Sequence, residues 1–461
     1  MARIPFYPKV VLPLPAPPLR TTLHERSCSA SVLPGRREQG SAGGMPGPED
    51  TARLQLPNGI TVLARANFNS PSVVISGFLP AGSLFESDDR LGLATFTAAA
   101  LLRGASGRST QEIYDRLEST GASLGFDGGT HTTGFGGKAL AEDLDLLLEL
   151  LAGGLRAPDF PPGQVEKLRT QLLTGLAMRA QDTGEMASLA FDEIVYAGHP
   201  YRRPDEGYPE TVQAIRRDDL VAFHRRHYGP RGLVLAVVGA VEPQAALEKV
   251  SHWLGDWTNP HQPPDPTLPP VTPLPETTTR KVAIPGKYQA DLVIGAPGPA
   301  RRAPDYLAAS LGNNILGQFG MMGRIGEVVR EQAGLAYYAS SHLGGGLGPG
   351  PWEVTAGVDP ANLARAIDLI CTEIARFCRE PVTPAELDDS QANFVGRLPL
   401  SMESNGGVAA ALVNLERYGL GLDYYRRYPG LVRAVTLEQV LAAAQHYLEP
   451  DHLGIGIAGP P

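Results

Sequence analysis

The sequence predicts an α+β protein built from two homologous modules, and three observations carry that prediction. Short β-rich runs alternate with long apolar helical stretches along most of the chain. Residues 217–239, RDDLVAFHRRHYGPRGLVLAVVG, have a counterpart at 436–459, TLEQVLAAAQHYLEPDHLGIGIAG. Each is an acidic-capped helix, a His-Tyr pair (His227-Tyr228 and His446-Tyr447), a turn containing proline, and a β run that ends in glycine. A second pair, APDFPPGQVEK (157–167) and EPVTPAELDD (380–389), follows a long apolar helix in each half. One module of roughly 200 residues is therefore repeated end to end. Between the copies lies NPHQPPDPTLPPVTPLPE (259–276), whose prolines make a semi-rigid linker and whose His261 carries no assigned role. The expected organisation is a disordered leader (1–49), a first module (50–258), the linker (259–280) and a second module (281–461).

Composition bounds the function. The chain has 461 residues, 43% hydrophobic and 19% charged, which is ordinary for a globular protein. No apolar run approaches the roughly 20 residues that cross a bilayer. Residues 1–44 hold +4 of a total charge of −9, so the rest carries −13 and nucleic acid is not an expected partner. Six prolines among the first eighteen residues break any signal-like apolar run, so a disordered leader is expected, or an over-extended reading frame with initiation at Met45. Cys371 and Cys378 are two helical turns apart, about 10 Å. That is beyond the roughly 7 Å a disulfide spans, so they are expected to be buried, inert thiols, which fits a reducing compartment without requiring one; a cytoplasmic location is expected.

Order is expected from Leu54, where LQLPNGITVLAR places two β runs around a Pro57-Asn58-Gly59 turn. VVISGFLPAG follows as a strand. TQEIYDRLESTGA is an amphipathic helix with a Thr110 cap and a Gly121 stop. SLGFDGGTHTTGFGGKAL alternates as two short strands, and EDLDLLLELLAGGL is a strongly apolar helix. His227 and His446, each ending a helix before a strand, suit a structural role there.

The stretch Arg90–Arg103, RLGLATFTAAALLR, has Leu91, Leu93, Ala94, Ala98, Leu101 and Leu102 at helical spacing, as any core helix would. Its frame says more: AGSLFE (81–86) precedes it, Gly92-Leu93-Ala94 opens it, and Leu101-Leu102-Arg103-Gly104 closes it. On these residues the chain resembles the insulinase/pitrilysin zinc peptidases (inverzincins, including those like mitochondrial processing peptidase), over about residues 50–460. In that family this helix bears His-x-x-Glu-His, whose histidines hold zinc while the glutamate activates water. Here Thr95 and Ala99 stand at the histidine positions and Ala98 at that of the base. The family's third ligand, a glutamate on a later helix, maps to Gly175 in Thr174-Gly175-Leu176, 76 residues beyond Ala99. No His-x-x-Glu-His or its reverse occurs anywhere in the chain. The resemblance implies two modules, each a mainly antiparallel sheet with helices packed over one face, closing as a clamshell around a cavity.

In the second half GRIGEVVREQAGLAYYASSHL (323–343) reads as a helix to about Glu331, a turn through Gly334 and a strand from Leu335. REQAGLAY matches the family's Arg and Tyr that hold substrate and stabilise the oxyanion, which the resemblance assigns to Arg330 and Tyr337. A last-turn cation and a strand aromatic are also ordinary structural choices. Tyr338, on the opposite face, is expected to pack. NNILGQFGMMGRIG resembles the glycine-rich, substrate-handling loop of the non-catalytic subunit of processing peptidase, through Gly317, Gly320 and Gly323, with Met321 and Met322 as adaptable contacts; a plain mobile turn would look the same. The resemblance therefore implies a zinc-less, non-catalytic subunit that binds no cofactor itself. It would pair with a zinc-bearing homologue and supply Arg330 and Tyr337 to peptide proteolysis, the acidic charge favouring basic peptides. The alternatives are a structural core subunit of a respiratory cytochrome bc-type complex and a non-enzymatic peptide-binding chamber.

Overall fold

The computed structural model describes residues 44–320 and 323–461; the leader up to residue 43 and the Met321-Met322 pair lie outside the described residues. Residues 44–49, read from the sequence as the end of the leader, are tied to the first sheet. Arg65 donates to the Gly44 carbonyl at 2.8 Å and to Asp50 at 2.7 Å, and the Gly47 N–H donates to Asp50.

The first half runs β1 (Ala52–Gln55), β2 (Thr61–Ala66), β3 (Ser72–Leu79), α1 (Leu93–Ala100), the short pair β4 (Gly104–Ala105) and β5 (Arg108–Ser109), and α2 (Thr110–Ser119). It continues with β6 (Ser123–Gly128), β7 (Thr133–Leu140), α3 (Leu144–Arg156), α4 (Pro162–Arg179), α5 (Thr183–Val195), α6 (Pro209–Ala214), α7 (Arg217–His227), β8 (Val234–Gly239) and α8 (Pro243–Leu254). The second half runs β9 (Thr278–Ala283), β10 (Ala290–Pro297), α9 (Tyr306–Gly317), α10 (Gly323–Ile325), β11 (Ala336–Gly345) and β12 (Pro349–Val358). It ends with α11 (Leu363–Arg379), α12 (Pro384–Ser401), α13 (Asn405–Tyr418), α14 (Tyr424–Arg433), α15 (Leu437–Tyr447) and β13 (Gly454–Gly459).

The two sheets share one plan. The first is ordered β1-β2-β8-β3-β7-β6 and the second β11-β12-β10-β13-β9. Read from the opposite end, the second becomes β9-β13-β10-β12-β11, matching β2-β8-β3-β7-β6 strand for strand. Only β2–β8 and β13–β9 pair in parallel, so both sheets are mainly antiparallel. The β1–β2 hairpin forms around Gly59, whose φ of +96° suits a residue without a Cβ. The α2 cap is Ser109 rather than Thr110, because Ser109 and Glu112 close a reciprocal capping box. Thr110 Oγ1 instead donates to the Arg103 carbonyl.

Helices cover both faces of each sheet, where the sequence suggests one. The reason is visible in β8, VLAVVG, which is buried at every position and so has two apolar faces. The inner face packs on α1, α3, α7 and α8 of the same half. The outer face is covered by α13, from the other half: Val408, Leu412 and Leu415 meet Leu63, Phe78, Val234, Ala236 and Val238. The reciprocal contact places α5 of the first half on the second sheet, Phe191 and Val195 meeting Val293 and Ala458. Close approach there depends on β13 glycines: a Cβ on Gly456 would lie 2.2 Å from the Ala187 carbonyl oxygen and one on Gly454 2.4 Å from Val195 Cγ2. Each half thus lends a helix to the other.

Candidate functional site

In the first half α1 lies between edge strand β6 and the long helix α4. Its N-terminus is held by Glu86, whose carboxylate accepts from the Gly92 and Ala94 N–H groups at 3.0 and 2.5 Å, donors a helix start otherwise leaves unpaired. Burial pushes the Glu86 carboxyl up to about 8 against the pull of those donors. Thr95 and Ala99 are both partly exposed and share one face of α1, the arrangement that two metal-binding side chains four residues apart would need. Ala98 is buried in the core. Thr95 Oγ1 donates to the Asp205 carbonyl at 2.7 Å. Gly175 on α4 is exposed, and a side chain there would meet no atom within 4 Å.

These residues do not fit a zinc ion. Alanine and glycine offer no lone pair, and the one hydroxyl is engaged with backbone. Among the described residues no group of three or more His, Cys, Asp or Glu could hold a metal.

In the second half the segment bearing Arg330 is not the expected α-helix. After α10 the chain forms a π-helical stretch, Gly326–Gln332, a local form that often marks functional positions. It closes with the Gly334 N–H donating to the Arg330 carbonyl and the Leu335 N–H to that of Val329. Arg330 is partly exposed, with Glu331 3.8 Å away as a weak partner. Tyr337 stands on edge strand β11 at a bulge: Ala336 pairs with Val358 and Tyr338 with Gly357, leaving Tyr337 as the extra residue. It is 85% exposed. Tyr338 is half-buried, and its hydroxyl donates to Asp291 at 2.7 Å.

The three glycines of the following-helix turn have backbone reasons to be glycine. A Cβ on Gly317 would lie 2.3 Å from the Ser341 nitrogen, and one on Gly323 2.5 Å from the Ile315 carbonyl oxygen. Gly320 has φ +63°. These constraints seat the end of α9 against β11 without any substrate.

His227 is buried between Phe85 and Phe223, with ring centroids at 4.5 and 4.6 Å, and burial lowers it to about 4. His446 is exposed and lies edge-on to Tyr447, so the repeated His-Tyr pair does not repeat its environment. Cys371 and Cys378 are free, and Cys378 donates to the Leu448 carbonyl at 2.9 Å.

One feature escapes sequence reasoning. A cavity of about 330 Å³ opens among α9, α12 and β11. It is lined by Arg301, Tyr306, Asn313, His342, Arg397 and Tyr428, among others, and by no Asp or Glu. The signal was present in the repeat. Pro162 and Pro384 both open the long helix, and Arg179 and Ser401 both end it, an offset of 222 residues that sets Arg397 opposite Gly175.

Comparison with known proteins fits this architecture. Residues 61–204 match the model of the insulinase family (peptidase family M16), and residues 214–394 match that of the peptidase M16 inactive domain. The chain is 26% identical over 417 residues to an uncharacterized zinc protease of Mycobacterium leprae, covering 88% of this chain and 91% of that one. It is 27% identical over 281 residues to human mitochondrial cytochrome b-c1 complex subunit 1, covering 59% and 56% respectively. Among solved structures, a peptidase M16 inactive domain from Pseudomonas fluorescens superposes with a TM-score of 0.82 at 27% identity, covering 89% of this chain and 98% of the other. A Helicobacter pylori protease has the same fold, with a TM-score of 0.82 at 19% identity over 90% and 100% of the two chains. With both halves matched and no His-x-x-Glu-His in the sequence, the chain belongs to the insulinase (M16) peptidase family, among its members without the zinc motif.

Proposed function

We propose that this chain is the non-catalytic subunit of a two-chain zinc peptidase, working in the cytoplasm. It pairs with a zinc-bearing homologue and presents Arg330 and Tyr337 to the peptide held at the partner's metal. The observation that carries this reading is Tyr337, 85% exposed at a bulge on an edge strand, seven residues after a partly exposed arginine. A buried structural role would have turned the ring inward, as Tyr338 is, half-buried with its hydroxyl on Asp291. In the assembled site the guanidinium and phenol would donate to the substrate carbonyl and to the oxyanion that forms from it.

The likeness to a cytochrome b-c1 subunit favours a second reading, a purely structural core subunit, which has no use for those donors. Titrating the chain into the zinc-bearing homologue from the same organism, while following cleavage of a fluorogenic peptide mixture, separates the two. Activity should rise to a plateau at equimolar mixing. The Arg330→Ala/Tyr337→Phe variant should bind equally well but activate about 100-fold less or worse, the usual cost of losing an oxyanion donor. Equal activation by both chains, or no complex at all, sinks the two-chain reading.

A further inference from the structure

The α9–α12–β11 cavity occupies in the second module the place that the degenerate metal site occupies in the first. In each module the first long helix lies between an edge strand and a later helix: α1 with β6 and α4, α9 with β11 and α12. The repeat offset puts Arg397 where Gly175 stands. One module shows bare positions at this place; the other shows a pocket built of donors.

Its chemistry is one-sided. Arg301 lies 4.4 Å from the Tyr306 ring and donates to Tyr424 Oη at 3.0 Å. Arg397 lies 4.0 Å from the Phe394 ring. Aromatic faces fix the two guanidinium planes, and among the described residues neither arginine forms an ion pair. Asn313, 3% exposed, accepts from Ser341 Oγ through its carboxamide oxygen, which leaves its NH2 group as a further donor. Burial lowers the His342 pKa, which favours its uncharged form. In a chain whose folded part carries −13, two cations with no carboxylate beside them form a site for an anion. Tyr306, Leu343 and Tyr428 add apolar wall, and about 330 Å³ admits a group the size of a side chain.

We propose that this cavity is a subsite for a peptide carboxylate, with Arg397 at its rim and Arg301 at its base as the anion-binding pair. The proposal rests on the peptide-handling reading above. It reverses, at this one place, the preference for basic peptides that net charge suggests. The carboxylate comes either from an acidic side chain or from a peptide C-terminus.

The test is fluorescence anisotropy on the intact chain, without any partner, using three labelled peptides of one sequence. The first has Glu and an amidated C-terminus, the second Gln and a free C-terminus, the third Gln and an amidated C-terminus. At least one acid-bearing peptide should bind about tenfold or more tightly than the neutral one, the gain of a charge-assisted pair. Which of the first two it is names the source. Arg397→Gln should abolish the difference and Arg397→Lys keep part of it. Equal binding of all three, no binding of any, or a preference that survives Arg397→Gln would overturn the proposal. The wild-type comparison decides even if a variant fails to fold. An acid preference without activation of the zinc-bearing partner refutes only the two-chain reading; activation without the preference refutes only the subsite.

Discussion

If α13 is the outer layer of the first sheet, Leu412→Ala in the second half should loosen the first. Leu412 is 0% exposed and packs in one cluster with Phe78, Val234, Ala236 and Val238. Truncating a buried leucine costs about 2–5 kcal/mol, the lost transfer energy plus the cavity left behind. No rearrangement within the second half relieves that cost, since the missing contacts are to β3 and β8. Hydrogen exchange read by mass spectrometry should therefore show faster exchange at residues 72–79 and 234–239, by at least about 30-fold, the factor that about 2 kcal/mol represents. Phe191→Ala on α5 should do the reverse, loosening β10 and β13. Faster exchange confined to residues 405–433, with β3 and β8 unchanged, would refute the exchanged-helix account. The same argument expects residues 50–258 made alone to expose the face that α13 covers and to aggregate.

Two further predictions concern single groups. Tyr337→Phe should leave stability within about 0.5 kcal/mol, as exposed positions do. Tyr338→Phe should cost about 1–2 kcal/mol, because Asp291, 4% exposed, loses a hydrogen-bond donor; denaturant midpoints in the opposite order would reverse the roles assigned to the two tyrosines. Asp192 on α5 and Glu353 on β12 bring like charges together across the two halves, and burial, with Glu353 adding to the effect on Asp192, pushes the pair up to about 8 and about 7. The fold holds these protons after the unfolded chain has released them, so the pair's contribution to stability falls as pH rises from about 5 to about 8, while buried histidines lowered to about 4, His227 among them, contribute the opposite slope below about 6.5. Each proton contributes up to about 1.4 kcal/mol per pH unit. The stability difference between wild type and Asp192→Asn isolates the pair: it should move in favour of the variant as pH rises from about 5.5 to about 7.5, and a difference independent of pH would refute the assignment.

What the sequence shows and what it hides divide by distance along the chain. The Asn58-Gly59 turn, the apolar stripe of α3 and the two-module repeat are local patterns, and the fold follows them. VLAVVG even announces that both faces of β8 are covered, but its covering helix lies more than 160 residues on, where no local period points to it. The π-helical stretch that contains Arg330 has no signature in the motif REQAGLAY, and the bulge at Tyr337 depends on how β11 registers with β12, which that motif does not encode either. Arg397 is different, because the repeat itself locates it once α4 and α12 are aligned. That alignment carries a consequence for the site. Two copies of one module place the same three elements around the same space, so the residue at each equivalent position decides what that space can hold. Glycine at 175 and alanine at 99 leave the first without ligands, while Arg301 and Arg397 line the second with positive charge. If the two proposals above hold together, the carboxylate subsite and the Arg330–Tyr337 edge are two contacts for one bound peptide.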